Sequence, residues 1–173
     1  SIDPKFNIIV SKNADLTIAF EVTLPEVFTL SSDSYNAIHD TFVKAIRVLP
    51  VGYILHKQDW YFEDIYVFNP DAERYATMDR LGIDNEQHFS ERPFMTQKCY
   101  LFITLPSADV KKRSSLNSSI LKRQLVPKQV LDKATWTQFI DILKQFTSIL
   151  NNSKFLSLKT MTYEDLAGEK GYY

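Results

Sequence analysis

Glycine is scarce in this sequence. Its 173 residues contain four glycines, at positions 52, 82, 168 and 171. Neither GxGxxG nor GxxxxGK[ST] can be written with glycines so placed, which excludes both of those phosphate-binding loops. Cysteine is scarcer still. The single Cys99 excludes an intramolecular disulfide and a cysteine-based zinc site. Because it sits within the best strand segment, it reads as a buried, inert thiol and not as a nucleophile. The three histidines, His39, His56 and His88, are scattered without an HExxH or another close ligand spacing. No GxSxG elbow is present, which disfavours hydrolase chemistry, although a Ser/His/Asp triad needs only to meet in space. Neither sign of charge dominates: the formal net charge is -1, without the excess of Lys and Arg usual in nucleic-acid binders. No apolar run reaches membrane-spanning length and no signal-peptide pattern is evident, so a reducing, cytoplasmic setting is expected. No catalytic residue, cofactor site or metal site emerges from these patterns.

Apolar and aromatic residues are plentiful. Hydrophobic residues make up 45% of the chain and aromatic ones 13%, enough for one globular domain with an aromatic-rich core or interface. The cleanest strand is Gln97 to Leu105. There Cys99, Leu101, Ile103 and Leu105 alternate with Tyr100, Phe102 and Thr104, so both faces are mostly apolar, and Pro93 and Pro106 bracket the run. Such a strand needs cover on both faces and belongs inside a sheet.

Ahead of it, Phe6 to Val10 and Leu16 to Val22 alternate on either side of a turn at Asn13-Ala14-Asp15 and should pair as a hairpin. Ser31, Ser32 and Asp33 can cap a helix whose apolar stripe includes Tyr35, Ile38, Phe42, Ala45 and Leu49, closed by Pro50. Tyr53 to Phe68 is β-prone, with a bend or bulge expected at the polar His56-Lys57-Gln58-Asp59. Residues 69 to 86 lose all alternation and read as a loosely ordered connector, followed by a short helical piece between His88 and Phe94. A second amphipathic helix carries Trp136, Phe139, Ile140, Leu143, Phe146 and Leu150, and Phe155 to Met161 suggests a final short strand. The expected fold is α+β: a mainly antiparallel sheet with two amphipathic helices in a ferredoxin-like β-β-α-β-β-α arrangement, with a long connector and a basic insertion. One domain is expected over residues 1–162, with 163–173 a polar tail.

Charge is uneven along the chain. Acids outnumber bases between Asp59 and Glu91, and bases outnumber acids between Lys98 and Lys128. Lys111, Lys112, Arg113, Lys122 and Arg123 bracket a Ser/Asn-rich stretch that could meet phosphates, lipid headgroups or an acidic partner, or could simply be a solvated loop. Ile120, Leu121 and Leu125 would give that stretch one short amphipathic helix. Its bases are not interleaved with aromatics, which weakens a single-strand nucleic-acid groove. Trp60 reads either as an anchor on a recognition edge, with His56 and Asp59 as a hydrogen-bonded pair, or as a core residue beside a bulge; the core reading is favoured. Glu91 and Arg92 would form an exposed ion pair of little worth or cap the entry to the central strand. His39 is expected at the surface.

The segments Ser11 to Phe20, Leu24 to Ser31, Tyr35, His39 and Lys44 to Pro50 resemble the N-terminal region of TraG-family conjugation ATPases from Bacteroidetes conjugative transposons. The likeness continues through His56 to Trp60, Glu91-Arg92-Pro93 and Cys99 to Thr104. Position 14 carries Ala where the family's turn carries Gly. The resemblance implies a type IV secretion ATPase whose Walker motifs lie in a downstream RecA-like motor absent from this sequence. It further implies that this chain is a non-catalytic docking module, cytoplasmic and peripheral at the inner membrane. Its partners would be membrane-channel components, its own motor domain or a neighbouring copy. Trp60, Tyr100 and Phe102 are then the candidate contact residues. Single-stranded DNA contact through Lys111, Lys112, Arg113, Lys122 and Arg123 is the alternative.

Overall fold

In the computed structural model, which describes residues 2–12, 14–26, 30–67, 79–107 and 133–168, the fold is α+β. Six strands among these residues form one antiparallel sheet: β1 (Ile2–Asp3), β2 (Ile8–Val10), β3 (Leu16–Thr23), β4 (Ile54–Ile65), β5 (Pro93–Leu105) and β6 (Ser157–Thr160). Four helices accompany them: α1 (Ser32–Val48), α2 (Arg80–Ser90), α3 (Lys133–Asn151) and α4 (Tyr163–Ala167). The sheet order is β1-β2-β3-β5-β4, with β6 also paired to β3. β5 lies along one side of β3 from Leu16↔Leu105 to Val22↔Cys99. β2 and β6 divide the other side, β2 at Leu16 and Thr17, β6 from Phe20 to Thr23. Without β1 and β2, the strands β3, β4, β5 and β6 therefore lie in the spatial order fourth, first, third, second.

The expected hairpin is present, and its turn is closed by its own polar residues. The Ser11 hydroxyl donates to Asp15 Oδ2 at 2.8 Å, and the Asp15 amide donates back to Ser11 Oγ at 3.1 Å. The Ser107 amide donates to Asp15 Oδ1 at 2.9 Å, which ties this turn to the end of β5. Ala14, at the position where glycine was expected, takes φ 71°, a left-handed conformation that glycine adopts without steric cost. The Thr17 and Thr104 hydroxyls meet at 2.8 Å across directly paired positions of β3 and β5.

Helix α1 begins as its sequence implies, with Ser31 Oγ accepting from the Ser34 amide, and Pro50 follows its C-terminal cap Leu49. α3 presents Phe139, Leu143, Phe146 and Leu150 at helical spacing, all buried. Its last residue, Asn151, accepts at Oδ1 from the Leu158 amide at 2.7 Å, fixing the helix end to β6.

The alternation in β3 and β5 sorts their side chains onto two faces. Leu16, Ile18, Phe20, Leu101 and Ile103 enter the main core with residues of α1 and α3. Ala19, Tyr100 and Phe102 enter a second, smaller cluster on the other face, closed by Met161 and Leu166 with Ile2 and Ile9 alongside. Two helices thus cover one face, as expected. The cover of the opposite face comes from within the chain: α4, lying where a polar tail was expected, places Leu166 there with no exposed surface. A capping box starts α4, in which the Asp165 amide donates to Thr162 Oγ1 and the Thr162 amide donates to Asp165 Oδ2.

β4 runs through His56 to Asp59, where a bend or bulge was expected, as part of one strand. One further expectation needs correction. Residues 80–86, read as connector, are the first part of α2, which extends through the short helical piece expected near His88 and leaves β5 to start at Pro93. Asp79 caps α2 by accepting at Oδ1 from the Gly82 amide at 2.8 Å. The basic stretch and its short helix fall at 108–132, outside the described residues.

Candidate interaction surface

The chain divides into two compact units, one of residues 1–58 and 99–173, the other Asp59–Lys98. The larger unit contains every buried hydrophobic residue among those described, twenty in all. The described residues of the smaller include none, yet nine of the sixteen large apolar side chains exposed in the described structure belong to it. For the described residues of this unit that is a strong enrichment.

Polar contacts shape the smaller unit. Gln97 Nε2 donates to Asp59 Oδ1 at 3.0 Å, linking β5 to β4. Lys98 Nζ lies 5.5 Å from the centre of the Phe62 ring. The Tyr66 hydroxyl donates to the Glu86 carboxylate, joining the stretch after β4 to α2. Tyr66, His88, Phe89, Arg92, Pro93 and Phe94 line an open groove of about 330 Å³. Its lining residues are mainly aromatic and apolar, with His88 and Arg92 the basic ones. The His88 and Phe89 rings stand edge to face at 6.3 Å. Over the whole of Asp59–Lys98, acids outnumber bases nine to four.

The candidate contact residues separate. Trp60 lies in the smaller unit and is 40% exposed, so the favoured reading of it as a core residue does not hold. Tyr100 and Phe102 are 8% exposed in the larger unit, covered by α4, and so are not presented to a partner in this structure. Burial, and secondarily the Glu21 carboxylate, push the Tyr100 hydroxyl above its ordinary pKa. His56 packs its ring 5.8 Å from Phe102, while Asp59 takes the hydrogen bond from Gln97. His39 is exposed, as expected, and Cys99 is buried. Glu91 forms the C-terminal cap of α2, its amide donating to the His88 carbonyl. Lys111, Lys112, Arg113, Lys122 and Arg123 lie outside the described residues.

The groove itself was not legible in the sequence. Tyr66 falls in the β-prone run and the other lining residues in the short helical piece expected between His88 and Phe94, but reading 69–86 as a connector hid the first part of α2 and gave no reason for these residues to share a groove. The one available signal was Asp79 three residues before Gly82, a capping spacing ahead of Leu81 and Ile83.

Among the described residues, no cluster of His, Cys, Asp or Glu has an arrangement that could hold a metal ion, and no helix is long and apolar enough to cross a membrane. A family model described as a domain of unknown function, with the gene description B. Theta (DUF3875), matches residues 5–40. These residues span β2, β3 and the first half of α1. No curated protein matches the chain.

Proposed function

We propose that this chain is a non-catalytic interaction domain of a conjugative-transfer ATPase, coupling a downstream motor to a membrane channel for DNA transfer. The observation that carries this reading is the smaller unit, where nine large aromatic and aliphatic side chains are exposed and none of the described hydrophobic residues is buried. A stretch of 40 residues that keeps so many large apolar groups in water is poorly explained by stability alone. The resemblance over Ser11 to Pro50 supplies the context, and the match to residues 5–40 falls on the same stretch. The spatial order of β3, β4, β5 and β6 supports the ferredoxin-like version of the α+β fold. In this reading the domain is cytoplasmic and peripheral at the inner membrane, and its partners are channel components, the motor domain or a neighbouring copy.

The test is co-purification of the tagged chain with the cytoplasmic parts of the conjugation channel, together with an assay of ATP hydrolysis by the isolated chain. Retention of channel components without hydrolysis is the expected result. Failure to retain any of them, or normal DNA transfer after deletion of the domain, would overturn the reading.

A further inference from the structure

We infer that the groove between α2 and the start of β5 receives a basic amphipathic segment of a partner protein. The inference rests on the docking reading above and names the surface and the chemistry of what it holds. Three observations converge on it. The groove is lined by Phe89, Pro93 and Phe94 with Tyr66, so it suits apolar side chains projecting from a docked segment. Carboxylates adjoin it: Glu91 precedes the lining residue Arg92 at the end of α2, and Glu86 is bonded to the lining residue Tyr66. With acids exceeding bases nine to four in this unit, a partner bearing Lys and Arg around an apolar stripe is attracted, and one bearing carboxylates is repelled. Arg92 and His88 are the basic members of the lining, and the acidic excess is that of the unit as a whole. An apolar lining in an acidic unit is the combination that selects a basic amphipathic helix, anchored by residues at i, i+3, i+4 and i+7.

The probe is a fluorescently labelled 18-residue helical peptide of Leu and Lys, titrated with the whole chain and followed by anisotropy. The comparison is its Leu/Glu counterpart. The Leu/Lys peptide should bind and the Leu/Glu peptide should not. Phe89→Asp should weaken binding by about tenfold or more, while Val51→Asp, at a fully exposed site in the larger unit, should leave it unchanged. Phe89 is 65% exposed, so the substitution removes no core packing, and an unchanged circular dichroism spectrum checks that. Asp84→Asn with Glu91→Gln should weaken binding at low salt and have little effect at high salt. Equal binding of both peptides, or wild-type affinity in Phe89→Asp, would overturn the inference. Tight binding only after deletion of residues 111–125 would assign the groove to the chain's own basic stretch and would overturn it as well. Self-association abolished by Phe89→Asp would assign it to a second copy, with the same consequence. Co-purification with channel components is scored separately: if it survives in Phe89→Asp, the docking reading stands and this groove is not its site.

Discussion

The larger unit buries Phe20, Phe139 and Phe146 completely, whereas Phe62, Phe89 and Phe94 of the smaller unit all keep substantial surface in water. The residue types are the same, and so are the strands: β4 and β5 each contribute residues to both units. What differs is the presence of a second layer. In the larger unit α1 and α3 cover one face of the sheet, and α4 with Met161 covers the other. Among the described residues of the smaller unit no such layer forms a buried cluster, and its one helix leaves Leu81 and Phe89 exposed. Burial of apolar surface therefore holds the larger unit together, while hydrogen bonds such as Tyr66 to Glu86 and Gln97 to Asp59 shape the smaller. A region built in this way has little local stability of its own, and its apolar groups are available for binding.

The contrast can be broken most directly by truncation. Phe146→Ala in the larger unit should destabilise the chain by about 3–5 kcal/mol, against about 0.5 kcal/mol or less for Phe89→Ala, as read by urea denaturation. Comparable losses at the two sites would end the distinction. Leu166→Ala should cost about 2–4 kcal/mol and raise binding of a hydrophobic dye, because it uncovers Tyr100 and Phe102. No loss on that substitution would remove α4 from the core and return it to the polar tail that the sequence suggested.

Hydrogen exchange separates the units without mutation. Amides of α2 should exchange through local opening, far more readily than those of β3 and α3. Uniform protection would mean that the two units open together.

A smaller effect concerns pH. The Thr162 amide and then its hydroxyl, both donating to Asp165, hold that carboxyl below its ordinary range. A depressed folded pKa stabilises the folded state above the unfolded value, near 4, and that stabilisation is lost as pH falls through the lower folded value. Acidification should therefore loosen α4, seen as shifts in the Leu166 methyl resonances, and Asp165→Asn should abolish this dependence. The smallest expected change is a gain. Lys154 is exposed at φ 63°, and Lys154→Gly should add about 0.5 kcal/mol to the larger unit by relieving the left-handed backbone, while leaving exchange in α2 unaltered.

Much of the larger unit was readable residue by residue. The alternation in Leu16 to Val22 and Cys99 to Leu105 places those strands, and Ser31 with Pro50 bounds α1 within a residue or two. The smaller unit was not readable in the same way. Hydrophobic periodicity reports a one-sided burial, and a helix such as α2, with Leu81 and Phe89 exposed, has no buried face to produce it.

Sequence alone determined the α+β class, the cap of α1 and the strand with two apolar faces, because these follow from local backbone preferences and from alternation. It also determined the separation of charge along the chain, since that needs no fold. Tertiary structure alone decided what covers the second face of β5. Leu166 lies more than sixty residues from Phe102, and no local pattern announces that a five-residue helix will close over it. It also decided that Trp60 stands at the surface while Tyr100 and Phe102 do not. Burial depends on which layers the chain brings together, and two aromatic residues of the same sheet have opposite fates when only one of them finds a helix above it.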